Sequence, residues 1–277
     1  MQTYTRISIS LLFFIGIPFL SAKEIVTTVK SADPTARTLT LEDDTVVSVS
    51  LGDAQIGYIG RQIKGDLVEE GDSKRLDFIW PDDPVDVQVA NDINKQLHRD
   101  TVVRGRKAFR AVGENIPNFA LYNQDGDLVT ANSLKGKNLV MNFIFTRCAV
   151  ATMCPASIAR MSRLQREIKE SDLKDVELVT FSFDPEYDTP GVMRLYGEQR
   201  GLDFANYTLL TGDPTAIKNI IKQLGVLVIP EDDTLNHTMA TLIIDKNSKI
   251  IYRKDGSRWS TKDFLERLKV LESRKES

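Results

Sequence analysis

Apolar and polar positions alternate in short bursts through the first third of the chain. Between residues 23 and 80, five stretches read as strands: Ile25–Lys30, Thr38–Leu41, Val46–Leu51, Gln62–Glu69 and Lys74–Trp80. The clusters "DPTA", "DD", "GDA" and "EGDS" lie between them, and such turn punctuation marks a small all-β unit. Five short strands at this spacing predict a small β-barrel-like, OB-like domain. "WPDDPVD" (Trp80–Asp86), rich in proline and acid, marks its boundary. From Val87 to Glu114 the partial amphipathic spacing of Val87, Ile93 and Leu97 predicts a helix that connects two domains.

The pattern changes after Asn115. "FALYNQDGDLVTA" reads as a hairpin about Asp125-Gly126. Asn138–Phe145 and Val176–Phe183 are continuous apolar runs, as expected of strands covered on both faces. Helices are expected from Pro155, where Ile158, Met161, Leu164 and Ile168 share one face, and then near Thr189–Arg200 and over Pro214–Leu224. A short strand "YTLL" lies between the last two. Thr238–Asp245 is a further strand, turning through Asn247 into "KIIYRK", and a last helix starts near Ser260. Strands alternating with helices predict an α/β sheet with helices on both faces. The order is thioredoxin-like, with an added N-terminal hairpin.

Composition fits this picture: 42% hydrophobic and 27% charged residues in 277, the balance of a globular protein. A net charge of −3 with dispersed basic residues gives no sign of nucleic-acid binding or of a polybasic membrane surface. The first 22 residues change the setting. Arg6 is followed by an apolar stretch from Ile7 to Leu20 and then by Ser21 and Ala22. That is the layout of a signal peptide, and the stretch is shorter than the ~20 residues that span a bilayer. Cleavage after Ala22 is favoured over retention as an anchor. No cysteine follows the apolar run to carry a lipid. The expected location is the periplasm or cell envelope, where a nearby cysteine pair can be oxidised.

The chain has two cysteines, Cys148 and Cys154, in "FIFTRCAVATMCPASIARM". They sit where a buried strand ends and a helix begins, the end at which α/β sheets place their sites. Pro155 suits the first helical turn. A helix N-terminus together with the neighbouring Arg147 predicts that Cys154 is the more acidic thiol. His237, in "LNHTMATLIID", falls just before a predicted central strand, at a loop that approaches the cysteine loop in thioredoxin-like folds. Two thiolates and an imidazole form a soft donor set that favours Cu(I), and the Irving–Williams order places Cu(II) highest among divalent ions. A closed zinc site would want a fourth ligand. Met153 and Met239 are read as packing residues, and His98 as a surface histidine among charged neighbours. Asp184 and Asp188 are read as an Asx turn and a helix N-cap before Pro190.

The region from about Ile116 to Leu271 resembles the SCO/SenC family of copper-binding, thioredoxin-fold proteins. The resemblance rests on "NFIFTRCAVATMCPASIARM", "FSFDPEYDTP" (Phe181–Pro190) and "HTMATLIIDKNSKIIY", in that order. It implies copper binding by Cys148, Cys154 and His237. It also implies delivery of copper to the copper-site subunit of cytochrome c oxidase or another cuproprotein, or reduction of that site's cysteines. Membrane association is left open. The spacing departs from the usual Cys-x3-Cys of the family, since five residues separate Cys148 from Cys154. A thiol–disulfide oxidoreductase using Cys148 and Cys154 as a redox pair, without stable copper, is the alternative. An inert disulfide on a scaffold is a third reading. The expected organisation is a signal peptide over 1–22, a small β domain over 23–80, a linker with a helix over 81–114 and a thioredoxin-like domain over 115–273.

Overall fold

The computed structural model describes residues 22–105, 108–231 and 234–273. The apolar leader therefore lies outside the described residues. Among the described residues no helix is long and apolar enough to cross a membrane.

The N-terminal strands β1 (Ala22–Asp33), β2 (Thr38–Leu41), β3 (Val46–Ser48), β4 (Gln62–Glu70) and β5 (Ser73–Pro81) close a barrel in the order β1-β2-β3-β5-β4. Its interior holds Val29, Leu39, Val47, Ile63, Leu76 and Ile79, with Tyr58 buried among them. A helix that the strand pattern did not anticipate, α1 (Leu51–Ile56), joins β3 to β4. Ser50 caps it by accepting from the Asp53 amide, and Gly57 ends it in the left-handed conformation.

Helix α2 (Pro84–Arg104) follows, with Asp83 as its N-cap and Pro84 in its first turn. It was expected to reach Glu114. Instead it stops at Gly105 and delivers Leu97 into the larger core.

That core surrounds a seven-stranded sheet. Its strands are β6 (Ala120–Asn123), β7 (Leu128–Thr130), β8 (Asn138–Ile144), β9 (Val176–Ser182), β10 (Tyr207–Thr211), β13 (Ala240–Ile244) and β14 (Ile250–Asp255). The order is β14-β13-β8-β9-β10-β6-β7, with β8, β9 and β10 parallel and the outer pairs antiparallel. Every residue of β8 and β9 is buried, which requires cover on both faces. The covering helices are α3 (Cys154–Lys169), α4 (Pro190–Gln199), α5 (Pro214–Gln223) and α6 (Thr261–Ser273); α3 packs on α6 and α2 on α5. A two-stranded hairpin, β11 (Val228–Glu231) with β12 (Thr234–His237), precedes β13 and was not anticipated either.

Barrel and sheet meet backbone to backbone, α1 against α4. A Cβ placed on Gly52 would lie 1.9 Å from the Gly191 carbonyl oxygen, and one on Gly191 would lie 2.2 Å from Asp53 Oδ1. Gln55 donates to Glu198 at 2.8 Å, and Arg61 donates to the backbone carbonyls of Asp125 and Gly126.

Candidate metal centre

A polar chain inside the sheet sets the position of α3. Thr180 Oγ1 donates to Asn142 Oδ1 at 2.5 Å, and Asn142 Nδ2 donates to Ser157 Oγ at 3.0 Å. Thr180 has spent its proton, so the Tyr207 hydroxyl donates to it at 2.7 Å. All three links are buried, where an unmade hydrogen bond is costly. Ser157 is one turn beyond Cys154, so this chain fixes where the first turn of α3 presents its sulfur.

A second anchor holds the start of the cysteine loop. Asp188 is fully buried and accepts from the Thr146 amide at 3.1 Å, and also from the hydroxyls of Thr146 and Ser182. Burial nevertheless pushes its carboxyl up to about 6. The expected N-cap role belongs instead to Thr189, which accepts from Val192 N. Asp184 reaches the same loop from the other side: it accepts from Arg147 Nε at 3.0 Å and Nη2 at 2.6 Å, and Arg147 also lies over the Tyr187 ring.

The structure brings the three sequence-predicted residues together. Cys154 Sγ is 3.4 Å from His237 Nε2, and the ligand atoms of Cys148, Cys154 and His237 all lie within 4.8 Å of one another. Donors bonded at ~2.3 Å to one ion lie at most about 4.6 Å apart, so these three atoms are near the separations that a shared ion would require. Among the described residues no further His, Cys, Asp or Glu joins this group.

His237 ends β12, opposite Val228, and its ring lies against Phe145 and Phe183 with centroids at 5.7 and 4.7 Å. Nδ1 is 3.1 Å from the Thr238 carbonyl oxygen. A carbonyl can only accept, so Nδ1 carries the proton and Nε2 turns its lone pair toward the sulfurs. Burial holds the imidazole below its ordinary pKa, which keeps that lone pair free.

The two thiols are unbridged and unequal: Cys148 is half-buried and Cys154 fully buried. The expectation that Cys154 is an acidic thiol is overturned. Burial pushes it well above its ordinary value and outweighs a backbone hydrogen bond at Phe145. Arg147, counted in sequence as a neighbouring positive charge, is neutralised by Asp184. A positive ion at the site would restore what the helix end alone does not supply.

Met239 is buried and His98 sits on the surface, its Nδ1 3.2 Å from Asn219 Nδ2. Sequence reasoning missed the anchoring roles of Asn142, Thr146 and Ser182, and it singled out Asp188 as a cap, not as the anchor of the cysteine loop. The available signal was polar side chains at positions inside or ending otherwise apolar strands.

A family model described as SCO1/SenC matches residues 109–271. The SCO1 protein homolog of Bacillus subtilis (strain 168) is 32% identical over 145 residues, which is 50% of this chain and 72% of the relative. A SCO1/SenC family lipoprotein from Bacillus anthracis superposes with a TM-score of 0.54 at 32% identity, over 59% of this chain and 98% of its own. BsSco is described as a member of the Sco family of cytochrome c oxidase assembly proteins, with a disulfide switch. It gives 0.53 at 29% identity, over 60% and 97%. Copper-bound ScoI of Arabidopsis thaliana, at 24% identity and a TM-score of 0.51 over 60% and 100%, shares the fold. The barrel lies outside the residues that the family model matches.

Proposed function

The chain belongs to the SCO1/SenC family, and on that premise we propose that it is an exported copper-binding chaperone that delivers copper to, or maintains, the copper site of cytochrome c oxidase. Copper is its cargo. Cys148 and Cys154 supply thiolates and His237 supplies Nε2. The observation that carries the reading is the convergence of these three donors within 4.8 Å of one another. The donor set is soft and short of the four ligands of a closed zinc site, which favours Cu(I).

The exposure of the donors suggests how cargo moves. Cys154 and His237 are buried, whereas Cys148 is half-buried on the loop between β8 and α3. A recipient thiol or imidazole would therefore approach along the Cys148 side and exchange for that ligand first. The Nδ1 hydrogen bond to Thr238 and the flanking rings of Phe145 and Phe183 keep His237 oriented while the exchange proceeds. Binding needs both thiols deprotonated, so loading releases protons and is lost when the pair is oxidised.

The proximity of the two sulfurs also supports a second reading, a thiol–disulfide exchange protein in which Cys148 attacks and Cys154 resolves. We read residues 23–80 as an OB-like domain, a reading supported by the closed 1-2-3-5-4 strand order. Residues 81–114 then lead into a thioredoxin-like domain over 115–273.

Titration of the reduced protein with Cu(I) against a chromophoric competitor tests the assignment. We expect one tightly bound equivalent in the parent, none in Cys148→Ser or Cys154→Ser, and at least about tenfold weaker binding in His237→Ala, in line with the 10–100-fold cost of losing even a residue that supports a ligand. Equal affinity in parent and His237→Ala would remove the chaperone reading and leave the exchange reading, which fast turnover of a model disulfide independent of His237 would support.

A further inference from the structure

A cleft of about 500 Å³ opens where the barrel, α2 and the loops after β9 and β10 meet. Three aromatic side chains stand out in its lining. Trp80 and Tyr122 lie with ring centroids 6.4 Å apart and planes at 57°. Phe78 joins them, 51% exposed. A bulge aims it: Lys64 pairs with Trp80 and Asp66 with Asp77, so Phe78 and Ile79 together face the single residue Gly65. Ile79 turns into the barrel core, and Phe78 turns out with a left-handed φ of 51°, a conformation that a residue with a Cβ adopts at a cost.

The rim is acidic. Glu24 of β1, Asp66 of β4 and Glu186 from the loop after β9 line the cleft. None of the three side chains has a hydrogen bond or ion pair among the described residues. Glu24 and Asp66 are also direct cross-strand partners, a placement in which like charges repel. The one cation in the lining, Lys64, is engaged by Asp82 at 3.7 Å. Burial above all, with smaller contributions from the charges of Asp86 and Asp82, pushes the Tyr122 hydroxyl up to about 12.

A concave apolar site with aromatic rings and unmatched carboxylates complements a cation on an apolar stem. We propose that this cleft is a binding site for primary alkylammonium groups, with the rings of Phe78, Trp80 and Tyr122 packing on the methylenes and ammonium and with Glu24, Asp66 and Glu186 pairing with the charge. The chemistry is common to a polyamine and to a lysine side chain. The site is independent of the copper reading, because no cleft residue is a copper donor.

The test uses the full chain and two probes, spermidine and acetyl-Lys-Pro-Lys amide, followed by calorimetry and tryptophan emission at low ionic strength. Saturable binding of at least one probe at one equivalent is expected, with a shift in Trp80 emission. Binding should fade toward 1 M salt, where the Debye length is about 3 Å. The tighter probe identifies the source. The triple variant Glu24→Gln, Asp66→Asn, Glu186→Gln changes no buried group, folds, and should bind at least about tenfold more weakly. Trp80→Leu, with all three carboxylates kept, should also weaken binding. The proposal is overturned if neither probe saturates, or if the triple variant binds as tightly as the parent. Copper titration of the same variants stays at the parent value, so failure of either reading is visible separately.

Discussion

Substituting alanine for Gly52 or Gly191 sets two physical effects against each other. Both glycines lie in the first turn of a helix, where alanine is intrinsically better by at most the ~1 kcal/mol of a helix interior. Propensity alone therefore predicts a more stable protein. The contact between α1 and α4 predicts the reverse. A Cβ on Gly52 would sit 1.9 Å from the Gly191 oxygen, and one on Gly191 would sit 2.2 Å from Asp53 Oδ1 and 2.5 Å from its Cγ. Real Cβ contacts stay beyond 3.0 Å, so α1 and α4 would have to part by about 1 Å. Asp53 cannot swing aside, because it is buried and receives hydrogen bonds from Ser50 and Tyr58. Overpacking of this kind costs about 1–3 kcal/mol, and backbone on one side leaves little room for relief. The net expectation is a loss of about 1–2 kcal/mol in either variant, after the propensity gain. Because barrel and sheet have separate cores, the melting transition should also broaden or split. Scanning calorimetry with limited proteolysis between the two units reads both effects. A Gly52→Ala protein that melts as one transition at or above the parent temperature would refute the steric argument.

Three other outcomes follow from the same geometry. Burial holds Asp53 and Asp188 near pH 6, so the folded state keeps protons that the unfolded chain has released above about 4. The stability each contributes is full below about pH 4 and is lost as pH rises through about 6, by up to ~3 kcal/mol. Asp53→Asn should therefore gain on the parent in urea midpoint across that window, and a constant difference between pH 4 and 7 would contradict it. Thiol-reactive mass labelling should modify Cys148 first and Cys154 only under denaturing conditions; simultaneous labelling would contradict the burial difference. Arg147→Ala should cost under about 1 kcal/mol of stability, since the side chain is half exposed, yet speed labelling of Cys148 by freeing its loop. An unchanged rate would show that the Arg147–Asp184 pair does not restrain it.

The features that periodicity reports were legible in the sequence. The two all-buried runs gave β8 and β9, and Pro155 marked the start of α3. His237 stood at the correct end of the sheet. Short elements without a full period were not legible. "LGDAQI" is a six-residue helix between strands, too brief to show an apolar face, and it read as a turn. The β11–β12 hairpin contains Pro230, a residue that disfavours the interior of a strand. Electrostatics was the other blind spot. Chain adjacency set Arg147 beside Cys148 as a free charge, whereas in space it is spent on Asp184. The acidity expected of Cys154 failed because burial is invisible to a count of neighbours along the chain. Asp188 suited an N-cap by residue type, and only packing assigned the cap to Thr189 and the anchor to Asp188.

The separation of 83 positions between Cys154 and His237 also imposes an order in time. Strands β8, β9 and β10 are contiguous parallel neighbours in the sheet, and a chain made from its N-terminus can pair them before the hairpin of His237 exists. Strand β13 must then insert beside β8, on the far side from β9, closing a long loop to do so. Until that last insertion both thiols lie uncovered, without an imidazole partner. The interval between release of the cysteines and arrival of the histidine is when the chain is most open to oxidation, and a slow final step would lengthen that exposure wherever the surroundings oxidise thiols.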